Sequence, residues 1–149
     1  MKPETRPVDT NRLVELAQAT MARAPFPMLA SIDGVRPRLR PVSPVAVRGF
    51  TVFVASLRSS HKTGELEANP HVELCYLDPG HDQVRIEGTA EPIHDKDVRR
   101  EIWDTNPLLR SFLGTIENPE FMLYEIHPER VRFMREWALT YFDVPLAED

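Results

Sequence analysis

The sequence predicts a mainly β fold, a β-barrel of six or seven antiparallel strands with appended helices. Three observations point there. Apolar runs recur between turn signals such as Asp33-Gly34, Arg48-Gly49 and Asp78-Pro79-Gly80. Neighbouring runs are joined by short links, whereas a parallel α/β sheet would need a crossover helix after nearly every strand. Helical periodicity is confined to a few segments, too few to cover a parallel sheet.

In chain order, residues 1–8 are polar and proline-bearing and read as a loose arm. Asp9 or Thr10 can cap a helix that brings Leu13, Leu16, Ala17, Thr20, Met21 and Ala24 to one face, and Pro25 and Pro27 end it. Strands follow over 28–32 and 38–47. Pro41 and Pro44 cannot donate to a ladder, so the second should be bulged or lie on an edge. The run Phe50-Thr51-Val52-Phe53-Val54-Ala55 reads as a buried strand, and a short helix ends at Asn69-Pro70. Strands over 72–77 and 83–90 come next, the latter with Val84 and Ile86 on one face and Arg85 and Glu87 on the other. Gly88 inside it suggests a bulge or a close backbone approach. Asp95 caps a helix through Val98, Ile102 and Trp103, and a shorter helix ends at Gly114. Two late strands, 121–126 and 131–135, are linked by His127-Pro128-Glu129-Arg130.

At 149 residues, 42% hydrophobic and 28% charged, the chain has the make-up of one soluble globular domain. A formal charge of −5 argues against a nucleic-acid binder, which needs a basic footprint. Cys75 is the sole cysteine, so no internal disulfide forms, and a small buried thiol is its expected role. No apolar run approaches the ~20 residues of a membrane span. With no apolar signal core after Met1, a cytoplasmic location is expected.

The chemistry concentrates in Ser59-Ser60-His61-Lys62-Thr63-Gly64. Two hydroxyls and a lysine sit where a helix starts, just after a strand. Unsatisfied N–H groups and the positive end of the dipole make such a start suited to phosphate. The same residues also suit a capped surface helix with an idle lysine. Arg40 and Ser56, from two other segments, can converge on the same anion. Gln83 has an amide able to read the edge of a heterocycle. Other chemistries lack their patterns: the five histidines show no metal-ligand spacing, and no nucleophile-elbow glycines surround Ser59, Ser60 and His61.

Taken in order, these motifs resemble the pyridoxamine 5′-phosphate oxidase-like family, the FMN-binding split barrels. Arg40-Pro41-Val42 matches an arginine before a strand, and Phe53-Val54-Ala55-Ser56 an apolar strand ending in a hydroxyl. His61-Lys62 with Asn69-Pro70 matches a basic pair leading into a helix, and Gln83 to Gly88 the glutamine-led strand. The resemblance begins near Met28, covers most of the chain through Ala90 and weakens beyond it.

The resemblance implies a split barrel with an FMN site at a homodimer interface. Arg40, Ser56, Ser60, His61 and Lys62 would hold the phosphate, Gln83 would contact the isoalloxazine, and backbone groups of Val42 and Ala55 would line the ring. The implied activity is an FMN-dependent oxidoreduction of a small molecule, over a flavin face bordered by Arg36 to Arg40 and the partner's C-terminal strand. A flavin-binding electron-transfer or sensor module is the alternative, as is a split barrel that takes a deazaflavin or haem, with His61 or His71 as axial candidates. His61 stands where the oxidase has arginine, Val45 replaces a basic position, and the oxidase's arginine-and-histidine C-terminal signature is absent. The chain thus reads as a relative of the oxidase. Trp103 should pack its helix on the barrel, and Trp137 and Tyr141 should pack in the core or at an interface, within possible reach of the flavin edge.

Overall fold

A computed structural model describes residues 1–147. A 3-10 turn (Thr10–Arg12) leads into α1 (Leu13–Arg23), then β1 (Met28–Asp33), β2 (Arg36–Pro41), β3 (Ala46–Arg48) and β4 (Thr51–Leu57). Next come α2 (His61–Ala68), β5 (His71–Leu77), β6 (Gln83–Pro92), α3 (Lys96–Thr105), α4 (Pro107–Leu113), β7 (Phe121–Met134) and β8 (Phe142–Val144). All pairings are antiparallel, in the order β2-β1-β5-β6-β7-β4-β3, with β8 added beside β7.

The two ends of that order, β2 and β3, are neighbours in sequence. Laid flat, six inter-strand gaps would separate them by about 29 Å. The link from Pro41 to Ala46 reaches about 18 Å at full extension. The sheet must therefore curl, and it forms the expected barrel, split between β2 and β3, which do not pair.

Several expectations change. The strand expected over 38–47 breaks at its prolines, so that β2 and β3 lie on opposite sides of the split. The two late strands are one, β7: Pro128 faces Gly88 where the β6 register shifts, a bulge that tolerates a residue without an N–H. A Cβ on Gly88 would collide with the His127 carbonyl, the close approach that a glycine permits. The eighth strand, β8, adds to the six or seven expected. Within residues 1–8, Thr5 donates to the Glu136 carbonyl at 2.8 Å and Arg6 pairs with Asp82 at 2.7 Å.

Inward side chains alternate most regularly along β5 and β6. Val52 and Val54, Leu74 and Tyr76, Val84 and Ile86, and Val131 and Phe133 fill the barrel. Ala17 and Met21 of α1 pack against that filling, as the helical spacing predicts. Each such burial contributes about 1.5–3 kcal/mol. Phe53 and Leu123 face the other way, under Ile102 and Trp103 of α3, and Trp103 packs against Phe121 with centroids 5.3 Å apart. Cys75 is only half-buried, because its neighbours Leu74 and Tyr76 take the inward face.

Candidate functional site

β4 delivers the chain to α2 through a tight turn. Ser60 is extended (φ −73°, ψ 151°) and its hydroxyl accepts from the Thr63 amide at 3.3 Å, the geometry of an N-cap. His61 and Lys62 thus occupy the first helical turn, where amides lack intrahelical acceptors. At the other end Asn69 is already extended ahead of Pro70.

A cleft of about 420 Å³ opens beside this helix start. Arg40, Ala55, Ser56, Ser60 and Lys62 line it, together with Leu57 and with Leu109, Phe112 and Leu113 of α4. Ser56 points into a hydroxyl cluster, 3.0 Å from the Ser60 oxygen and 2.9 Å from that of Thr63. Thr63 donates onward to the Leu57 carbonyl at 2.6 Å. That donation leaves the Ser56 and Ser60 hydroxyls to share and redirect their protons.

Two cations meet here. The Lys62 ammonium contacts the Ala55 carbonyl at a long 3.4 Å. Burial first, and then the nearby Arg40 charge, hold its pKa below the ordinary lysine value. Arg40 is anchored from behind. It donates to the Leu29 carbonyl at 3.2 Å, to Ser31 at 2.8 Å and to Glu65 at 2.8 Å, while Ser31 also donates to Glu65 at 2.8 Å. Glu65 pairs with Arg40, and with Lys62 beside them the cleft carries a net positive charge that favours an anion. Glu65 and Ser31 were not legible as site residues. Glu65 reads as a plain helix acid, and only the packing of α2 on β1 brings it to Arg40.

The remaining candidates lie elsewhere. His61 is exposed and faces a separate groove with Asp33, Arg38 and Glu65. Val42 is buried, and its amide is already spent on the Pro27 carbonyl at 2.9 Å. Gln83 starts β6. Across the sheet Arg40 faces Leu29, Leu29 faces Leu74 and Leu74 faces Ile86, so Gln83 lies three strands away and three residues further along. One chain does not bring it to the cleft. It accepts instead from the Tyr141 hydroxyl at 3.1 Å. Trp137 is half-exposed in the turn after β7, with a left-handed φ of 64°. At the cleft's outer edge Phe112 is 85% exposed, a large apolar ring left mostly in solvent.

Comparison with known proteins gives a consistent picture. A family model described as pyridoxamine 5′-phosphate oxidase matches residues 13–135. General stress protein 26 of Bacillus subtilis is 31% identical over 96 residues, 62% of this chain and 67% of that protein. A Clostridium acetobutylicum protein related to general stress protein 26 superposes with a TM-score of 0.76 at 16% identity, covering 92% of this chain and 97% of the other. A pyridoxamine 5′-phosphate oxidase-related, FMN-binding protein from Nostoc punctiforme has a TM-score of 0.61 at 16% identity, with 85% of each chain covered. A haem-binding protein from Mycobacterium smegmatis has a TM-score of 0.74 at 16% identity, over 95% of this chain and 59% of that one.

Proposed function

The chain belongs to the pyridoxamine 5′-phosphate oxidase family, and on that premise we propose that it binds FMN and acts as an FMN-dependent oxidoreductase on a small molecule. The proposal is carried by the half-buried Lys62 ammonium beside Arg40, whose only carboxylate partner among the described residues, Glu65, pairs with the arginine. A phosphate dianion relieves that repulsion, and it finds two hydroxyls and the amides of a helix start within the same cleft. The residues present therefore fit a flavin mononucleotide.

In this reading Arg40 and Lys62 neutralise the phosphate, while the Ser56 and Ser60 hydroxyls donate to its oxygens. Glu65 keeps Arg40 aimed without competing for Lys62. Leu57, Leu109 and Phe112 supply apolar surface against the ring and exclude water from one side of it. The ring system itself supplies the two-electron chemistry, and the protein's part is orientation and electrostatics. The exposed Phe112, and the distance of Gln83 from the cleft of its own chain, support a homodimer in which Gln83 of the partner subunit completes the site. His61 would then lie beside the phosphate groove rather than in it. The Val42 amide, already bonded, would contribute packing instead of a hydrogen bond.

The haem-binding relative in fold prompts a second reading. No histidine lines the cleft, and His61 and His71 are both exposed, so FMN suits this chemistry better than an axially ligated iron. Anaerobic mixing of the FMN-loaded protein with NADH or NADPH, followed by a panel of small acceptors, tests the enzymatic part. Sustained turnover supports the oxidoreductase. Bound FMN with no turnover would replace it by an electron-transfer or sensor module.

A further inference from the structure

Tyr141, just ahead of β8, lies against the outer face of β6 and β7. Its ring sits near two guanidinium groups, 5.0 Å from that of Arg132 and 5.6 Å from that of Arg85. Both arginines are fixed in turn: Arg85 donates to Glu73 at 2.6 Å and Arg132 to Glu87 at 3.2 Å. The aromatic ring is thus held by a cation–π frame, and its hydroxyl reaches Gln83 Oε1 at 3.1 Å.

The direction of that hydrogen bond follows from the surroundings. The guanidinium groups of Arg85 and Arg132 around the ring are donors only, so neither offers the Tyr141 hydroxyl an acceptor. The hydroxyl proton is then left for Gln83. A glutamine amide is nearly symmetric in shape, and a half-turn exchanges its donor and acceptor ends. With Oε1 occupied by Tyr141, Nε2 remains, and it has no protein partner among the described residues.

We propose that Tyr141 is a positioning residue that locks the Gln83 amide with its N–H groups outward, so that Gln83 meets the flavin ring of the neighbouring subunit's site purely as a hydrogen-bond donor. This rests on the FMN reading. A donor gains strength as the ring gains electrons and negative charge, so the lock favours the reduced cofactor over the oxidised one. It also makes Gln83 select for ring edges that accept, and against those that donate.

The test uses Tyr141→Phe, which keeps the ring between the two arginines, and Gln83→Met, which keeps the length and removes the donor. In the ligand-free protein, the ¹⁵N order parameter of the Gln83 side-chain amide should fall in Tyr141→Phe. In the FMN-loaded protein, the ratio of reduced to oxidised FMN affinity, read from the reduction potential, should fall roughly fivefold in Tyr141→Phe. Gln83→Met should lower it at least as far, and combining the two should add nothing. An unchanged amide order parameter or an unchanged potential in Tyr141→Phe overturns the proposal. Failure of the unmutated protein to bind FMN overturns the flavin reading itself, and the amide measurement then decides the lock alone.

Discussion

Glu65 on α2 holds Arg40 on β2 through a 2.8 Å ion pair, so the helix that carries Lys62 also aims the arginine facing it. The pair is largely buried, with 9% of the Glu65 side chain exposed and 24% of that of Arg40. Both cations of the cleft are in this way referred to one rigid element, and phosphate affinity depends on a residue that need not touch the phosphate.

Glu65→Gln separates aim from charge. Glutamine can still accept from Arg40 and Ser31, while the negative charge behind the two cations disappears. FMN should bind about threefold or more tightly in a fluorescence titration at low ionic strength, with the gain shrinking as salt is added. Weaker binding in the variant would show that the Glu65 charge, and not only its oxygen position, sustains the site.

Lys62→Met should trade function for stability. The folded-state pKa of Lys62 lies below the unfolded value of 10.5, chiefly through burial and then through Arg40. The cost of holding it charged is therefore full below the folded pKa, and stability rises with pH between the folded and unfolded values. Removing the charge should raise the melting temperature of the ligand-free protein by about 2–4 °C and weaken FMN binding about tenfold or more. For the unmutated protein, FMN affinity should be full at neutral pH and decline as pH rises through the lowered Lys62 pKa, earlier than an ordinary lysine would allow.

Asp82, in the turn between β5 and β6, ties the N-terminal segment to the chain after β7. Its carboxylate, 1% exposed, takes Arg6 and Arg135, each at 2.7 Å, and the Glu136 amide at 3.1 Å. Burial pushes its pKa up, but the Glu136 amide and the two arginines outweigh that and leave it below the ordinary carboxyl value. The stabilisation it provides is full above pH 3.8 and is lost as pH falls through the lowered folded-state value. Asp82→Asn should cost about 3 kcal/mol in urea denaturation at pH 7, and the difference from the parent should shrink as pH falls through the lowered folded-state value. A variant as stable as the parent would contradict this role.

Gly88→Ala should cost about 1–3 kcal/mol, because the added methyl meets the His127 carbonyl and the bulge must open. Thermal denaturation checks it. A neutral result would mean that β7 can slide at Pro128 without penalty.

The parts of this protein legible in its sequence are those written locally. The run from β4 through the Ser60 cap to Asn69-Pro70 is contiguous, and α2 begins where the capping chemistry says it should. The alternation of Val84 and Ile86 against Arg85 and Glu87 likewise survives intact. What failed was non-local. The split between β2 and β3 is a property of sheet closure, and no residue between Pro41 and Ala46 announces which side of the barrel comes next. Pro128 reads as the end of a strand until Gly88 across the ladder supplies the bulge that accommodates it. β8 has three residues and no alternation to detect, so the Tyr141–Gln83 contact beside it was equally hidden. In the site, Lys62 and Ser60 announced themselves by spacing, whereas Glu65 acquired its role only through tertiary packing.

In the proposed reading the cleft between Arg40 and Lys62 holds the phosphate of FMN. Its most direct test is the visible spectrum of the protein purified without added cofactor, before and after denaturation, with the released compound identified by mass spectrometry. A yellow protein that releases FMN is the expected result. A colourless protein that also fails to take up added FMN would contradict the claim and leave the paired cations facing some other anion.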